Sequence, residues 1–147
     1  MSTISADDIT LLMSVHNGEG SLAFDACLES LLEMKPSIRN AVIVIDGWVR
    51  DEIRQSLSQF ESKYTGKLTV TELAENQGLG VALNQGLEIV DTTWVMRMDS
   101  DDICVPDRLH RTLEALNENP ALDIIGGYIS EFEDDPGSVK AIRRVPL

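Results

Sequence analysis

Asp99, Ser100, Asp101 and Asp102 place three carboxylates within four residues, directly behind an apolar run. Like charges this close repel, so the arrangement costs free energy unless solvent or a cation relieves it. In an extended segment Asp99 and Asp101 project to the same side, within reach of one hard ion or its waters. Mg²⁺ or Mn²⁺ carrying a substrate diphosphate suits such a site, because these ions keep positions open for phosphate oxygens. The same residues also suit a solvated acidic loop in which Asp102 or Asp107 caps the next helix. The spacing leaves both open.

Asp46 closes another apolar run and is followed by Gly47. A carboxylate there can accept from a base or a ribose, as acids do in other doubly wound nucleotide sites. By itself the residue better suits a cap on the following helix. Asn76-Gln77-Gly78-Leu79-Gly80 precedes a helical pattern. Its glycines permit close backbone approach and the helix start can receive an anion, although a tight turn accounts for them equally. As a dinucleotide fingerprint the segment is weak, because it follows the third apolar run and Leu83 fills the final small position. Ser14, His16, Asn17 and Glu19 follow the first run, and nothing nearby marks His16 as a base. Lys140, Arg143 and Arg144 suit a solvated tail better than a phosphate site. Trp48 and Trp94 flank the ends of runs and suit the core.

The elements that must position these residues are legible from periodicity. Five apolar runs stand out: Ile9–Val15, Ala41–Asp46, Leu68–Leu73, Trp94–Asp99 and Asp123–Phe132. The first two are almost continuously apolar, as strands covered on both faces are. Between the runs lie helical stripes: Phe24, Leu28 and Leu31 within Ser21–Met34; Val49, Ile53, Leu57, Phe60 and Tyr64; Leu79, Leu83, Leu87 and Val90; and Leu109, Leu113 and Leu116. Alternating strands and helices predict an α/β fold, a doubly wound, mainly parallel sheet with helices on both faces. In a 3-2-1-4 strand order, Ser14–Asn17 and Asp99–Asp102 flank the crevice at the switch point, where ligands of such folds bind.

The 147 residues are the length of one domain, with 43% hydrophobic and 25% charged residues. The net charge of −13 repels phosphate backbones, which argues against nucleic acid as a partner. It also means that a diphosphate binds only with a cation or with aimed backbone N–H groups. Cys27 and Cys104 have no zinc or redox spacing and are expected as buried thiols. The first residues lack the pattern of a signal peptide, and no apolar run approaches the ~20 residues of a membrane span. The expected location is the cytoplasm, either free or at the inner face of the membrane.

Five ordered segments together resemble the family-two glycosyltransferases of the GT-A fold. They are M-S-V-H-N-G-E, V-I-V-I-D-G, E-N-Q-G-L-G-V-A-L-N-Q-G-L, R-M-D-S-D-D-I-C-V-P-D-R-L and N-P-A-L-D-I-I-G-G-Y, and the fourth is the most specific. The nearest subgroup is similar to the galactosyltransferase-like enzymes of amylovoran biosynthesis, which build bacterial exopolysaccharides and related surface glycans. The resemblance implies a nucleotide-diphosphate sugar donor, with UDP expected, and a glycan or lipid-linked glycan acceptor. It places nucleotide contacts at Ser14, His16, Asn17, Glu19, Asp46, Asn76, Gly78, Gly80, Asn84, Asp99 and Ser100. It places metal binding at Asp101, with Asp99 and Asp102 sharing the ion.

There are departures from the family. His16 stands where Tyr is usual, and Gly47-Trp48 follows Asp46 where many relatives continue Asp-Gly-Ser. Family members continue with an acceptor-binding half and a downstream Asp or Glu as base. The expectation is therefore a donor-binding domain without the catalytic base, and with an apolar face near the fifth run that favours self-association. Two other functions fit parts of the pattern. A non-catalytic nucleotide-sugar-binding module needs only the donor residues. A phosphotransferase using Asp99 as nucleophile, like haloacid-dehalogenase-type hydrolases, would place its motif after the first strand.

Overall fold

The computed structural model describes residues 2–145. Every residue of Ile9–Val15 (β1) is buried, and so are five of the six in Asn40–Ile45 (β2). A strand covered on both faces can satisfy its backbone only through neighbouring strands, so these two form the centre of a sheet. β1 pairs in parallel with β2 from Thr10↔Asn40 to Val15↔Ile45, and on its other side with Trp94–Arg97 (β4). β2 pairs in parallel with Lys67–Glu72 (β3). The order β3-β2-β1-β4 is the one expected, and it sets the carboxyl ends of β1 and β4 side by side.

Side-chain alternation sorts the sheet into two faces. Leu11, Met13, Val15, Ala41, Ile43 and Ile45 belong to the larger core with Ser21–Leu32 (α1), Asp51–Lys63 (α2) and Arg108–Glu118 (α4). Leu12, Val42 and Val44 form a smaller core under Leu79–Leu87 (α3). Here the expected leucine stripe is corrected. The buried residues of α3 are Ala82 and Gly86, whereas Leu79 and Leu87 are 49% and 46% exposed. A Cβ on Gly86 would lie 2.4 Å from Leu12 Cδ1 and 3.0 Å from Val44 Cγ2. The helix therefore lies close on the sheet through its small residues, with Leu83 and Val90 of the stripe still packed against the smaller core and Leu79 and Leu87 pushed outward.

The fifth run does not join the sheet. Tyr128–Glu131 (β5) pairs antiparallel with Ala141–Arg144 (β6) in a separate two-stranded sheet. A central parallel strand needs apolar residues on both faces, and Tyr-Ile-Ser-Glu behind two glycines lacks them. The turn that closes the hairpin is supported by Asp135, whose carboxylate accepts from the Gly137 N–H at 2.9 Å. Trp48 is not core either but 68% exposed, while Trp94 is half-buried against the larger core. Among the described residues no helix is long and apolar enough to cross a membrane.

One clamp joins the end of β2 to the start of α3. Gly47 turns at φ 80°, and a Cβ there would fall 2.4 Å from the Asn76 nitrogen. Asp46, 3% exposed, accepts from the N–H groups of Gln77 at 2.7 Å and Gly78 at 2.9 Å. Asn76 Nδ2 donates to the Asp46 carbonyl at 3.3 Å. Gly78 is the N-cap of α3, so the carboxylate lies beside the positive end of that helix. The N-cap of α2 is Arg50, so Asp46 does not cap the helix that follows it in sequence.

Gly47→Ala is expected to lose about 1–3 kcal/mol through its positive φ alone. Asp46→Ala is expected to lose about 1.5–3 kcal/mol with its charged hydrogen bonds, and Asp46→Asn less. Gly80→Ala, in open space on α3, should be neutral or slightly stabilising. Urea unfolding of the purified variants measures all four, and an unchanged midpoint for Gly47→Ala would show that the loop does not rest on this contact.

Candidate functional site

Beyond the carboxyl ends of the strands, the β1–α1 loop is held by the β2–α2 loop. The Arg50 N–H donates to Asn17 Oδ1 at 2.9 Å, its Nη1 donates to the Asn17 carbonyl at 2.6 Å, and its Nη2 donates to the Glu19 carbonyl. Glu19 in turn accepts from the Gly20 N–H at 3.2 Å and from the Ser100 hydroxyl. The acidic run is thereby tied to the first strand's loop, as the strand order required. Its backbone is tied to α1 as well. The Cys27 thiol donates to the Asp99 carbonyl at 3.5 Å, and Ser30 Oγ accepts from the Cys104 N–H at 2.9 Å. Both cysteines are buried and free, and desolvation pushes the Cys27 thiol up to about 12.

The run itself is a turn, not an extended segment. The Asp102 N–H donates to the Asp99 carbonyl at 3.4 Å, with Ser100 and Asp101 at the centre of the turn. The alternation that would set Asp99 and Asp101 on one side therefore does not apply. Ser100 is the buried member at 5% exposure, and Asp101 and Asp102 are exposed. The Asp102 carboxyl is pushed above the ordinary carboxylate range, first by its partial desolvation and then by the charges of Asp101 and Asp99. Arg108 and Arg97 pull it the other way. Asp99 pairs with Arg97, whose carbonyl accepts from Arg108 Nη2 at 3.0 Å. The capping alternative is not what holds the run. The N-cap of α4 is Asp107, and its side chain engages Arg111 at 2.7 Å rather than the helix N–H groups.

Among the described residues no three His, Cys, Asp or Glu side chains form a ready-made cation cage. Asp101 and Asp102 offer hard oxygen donors on the solvent side. That fits an ion whose remaining positions are filled by water and phosphate oxygens.

The other expected residues border the same end of the sheet. His16 is exposed, and its Nδ1 accepts from the Gly18 N–H at 3.0 Å. Ser14, 9% exposed, shares the Leu12 face of β1 by alternation. Asn76 is exposed, and no atom lies within 4 Å of a Cβ built on Gly78 or Gly80. Asn84 is exposed on α3. A concavity of about 260 Å³ lies elsewhere, between α1 and α2, lined by residues such as Leu22, Phe60 and Lys63. Lys140 and Arg143 pair with Glu133 and Glu131 inside the hairpin, so those charges are compensated locally. Arg50, Arg97 and Arg108 carry much of the site's order, and the sequence did not mark them. Their partners are largely backbone carbonyls and distant loops, which leave no spacing signal.

Comparison with known proteins places the fold and the family. The profile of the family described as glycosyl transferase family 2 matches residues 10–146. The amylovoran biosynthesis glycosyltransferase AmsE of Erwinia amylovora is 33% identical over 94% of this chain and 50% of its own length. The chain spans about half the length of the curated relatives it matches first. Among solved structures, S. aureus TarS 1-349 in complex with UDP-GlcNAc superposes with a TM-score of 0.67 at 23% identity, covering 77% of this chain and 32% of TarS. The mannosyltransferase PcManGT of Pyrobaculum calidifontis, in complex with GDP-Man and Mn²⁺, gives 0.66 at 20% identity, over 84% and 34% of the two chains. At these identities the superpositions establish the fold, GT-A, and the sequence match establishes the family. Folded as a parallel α/β sheet with its acidic turn at the switch point, this chain belongs to glycosyl transferase family 2.

Proposed function

We propose that this chain binds a nucleotide-diphosphate sugar, with UDP as the nucleotide, in the crevice between the carboxyl ends of β1 and β4. The diphosphate meets Asp101 and Asp102 through Mg²⁺ or Mn²⁺, with Asp99 on the ribose side. One observation carries this reading. The acidic turn is anchored through its backbone and Ser100, yet Asp101 and Asp102 stay exposed, and Arg108 and Arg97 offset only part of the charge at the Asp102 carboxyl, which stays raised. On a chain of net charge −13 an anionic ligand there needs a cation. Ser14, His16 and Asn17 border the nucleotide on one side and Asn76, Gly78, Gly80 and Asn84 on the other. Asp46 acts on it through the loop it clamps. The bound UDP-GlcNAc of TarS and the GDP-Man and Mn²⁺ of PcManGT support the ligand class. The relationship to AmsE supports a surface or exopolysaccharide, or its lipid-linked precursor, as acceptor.

In the reaction the acceptor oxygen bonds to the anomeric carbon as the bond to the diphosphate oxygen breaks, with inversion, and the acceptor proton passes to a base. No residue of this chain is given the part of base. The cation, when bound, neutralises charge on the departing diphosphate. The chain's own part is to hold the nucleotide and fix the acidic turn, which is positioning in the strict sense. Family membership leaves no place for Asp99 as a phosphotransferase nucleophile.

Calorimetry should show UDP binding more tightly with Mn²⁺ than with EDTA, and Asp101→Asn should remove most of that difference while the chain stays folded. Equal affinities with and without the ion would sink the metal assignment.

The raised Asp102 carboxyl makes a second expectation. A carboxyl raised in the folded state weakens folding above that raised value, and the penalty vanishes as pH falls below the ordinary carboxylate value. Asp102→Asn should therefore raise the melting temperature at neutral pH without metal, and the gain should fade on acidification. A gain independent of pH would mean that charge is not the cause.

A further inference from the structure

We propose that Glu19 and Arg50 are positioning residues for the acidic turn rather than ligands of the nucleotide. This rests on the reading of that turn as the diphosphate site. Arg50 stands at the N-cap of α2 and spends three donors on one stretch of the β1–α1 loop: its N–H, Nη1 and Nη2 reach Asn17 and Glu19. A planar guanidinium bound to the carbonyls of two residues on either side of Gly18 leaves that stretch few alternative shapes. Glu19 is thereby aimed, and both of its carboxylate oxygens are occupied, one by the Gly20 N–H and one by the Ser100 hydroxyl.

Ser100 is the one buried residue of the acidic turn and sits at its centre. Tethering it leaves its neighbours on either side, Asp99 and Asp101, in a set relation to the β1 loop. The chemistry of the tether is unusual for its surroundings. Glu19 adds a fourth carboxylate close to three that already repel one another. A hydroxyl donor and the Arg50 guanidinium on the adjacent carbonyl offset that cost locally. What the turn needs from position 19 is thus a hydrogen-bond partner for the Ser100 hydroxyl in a fixed place, which the NH₂ of a Gln supplies while its amide oxygen accepts from the Gly20 N–H, and the negative charge is incidental. Gln should serve as well as Glu there, and Ala should not.

The test uses the full chain with Glu19→Ala, Glu19→Gln, Ser100→Ala and the double Ala variant. Two measurements are made: amide hydrogen exchange at Asp101 and Asp102 without ligand, and calorimetric affinity for UDP with Mn²⁺ and with EDTA. Each single Ala variant should speed exchange at Asp102, whose N–H closes the turn, and should weaken Mn²⁺-dependent UDP binding about tenfold, as for one lost hydrogen bond. Binding in EDTA should stay nearly unchanged, the double variant should be no worse than either single, and Glu19→Gln should match the parent chain. Additive losses in the double variant, or equal losses for Glu19→Gln and Glu19→Ala, would overturn the proposal. If the parent chain shows no Mn²⁺ effect on UDP, the function proposed above fails, and the exchange measurement alone decides the positioning role. If Ser100→Ala does not fold, the contrast between the two Glu19 variants decides it.

Discussion

The burial of β1 on both faces is the constraint from which the rest of the molecule follows. A strand with no solvent on either side can hydrogen-bond only sideways, so it must have parallel partners left and right, here β2 and β4. Parallel pairing forces each connection to cross back over a face of the sheet, which demands helices on both faces. It also gathers every strand-to-helix loop at one end. Where the chain order reverses, between β1 and its two neighbours, those loops part and a crevice opens. The first strand and the fourth, far apart in sequence, come to share one rim.

Electrostatics then decides what that rim can do. The acidic turn is not a loose loop, because its carbonyl at Asp99 and the hydroxyl of Ser100 are both engaged. Order of that kind concentrates charge that a flexible segment would spread out. Arg97 and Arg108 offset part of it from the flank of β4 and from α4. The remainder is left facing solvent on Asp101 and Asp102, a local field suited to a cation between protein and phosphate.

Structural and functional parts are interleaved closely here. Asp46 suits in sequence a cap on its own helix, and in the fold it serves as an acceptor for the loop before α3. Its two backbone partners, Gln77 and Gly78, belong to the segment whose glycines leave open space on their solvent side. The acid thus shapes the loop at the start of α3 while itself being buried. The α3 contact is made in the same way, where Gly86 lets the helix rest on Leu12 and Val44 while Leu79 and Leu87 face outward.

Periodicity, run length and residue order were enough to set the four strands, their parallel α/β arrangement and the helices between them, whereas the 3-2-1-4 order that brings the Ser14–Glu19 and Asp99–Asp102 segments together was a supposition that the sheet topology bears out. Those features are carried by burial pattern, which is written residue by residue in the chain. The sequence could not say that Tyr128–Glu131 would leave the sheet for a hairpin, because strand partners are chosen by competition between sites far apart in the chain. Nor could it say that Asp99–Asp102 bends into a turn, that Arg50 grips the first loop, or that Asp46 reaches α3 rather than α2. Each of those depends on a backbone donor or acceptor supplied by another segment. A carbonyl or amide has no residue identity of its own, so only the folded chain reveals which one a side chain has found.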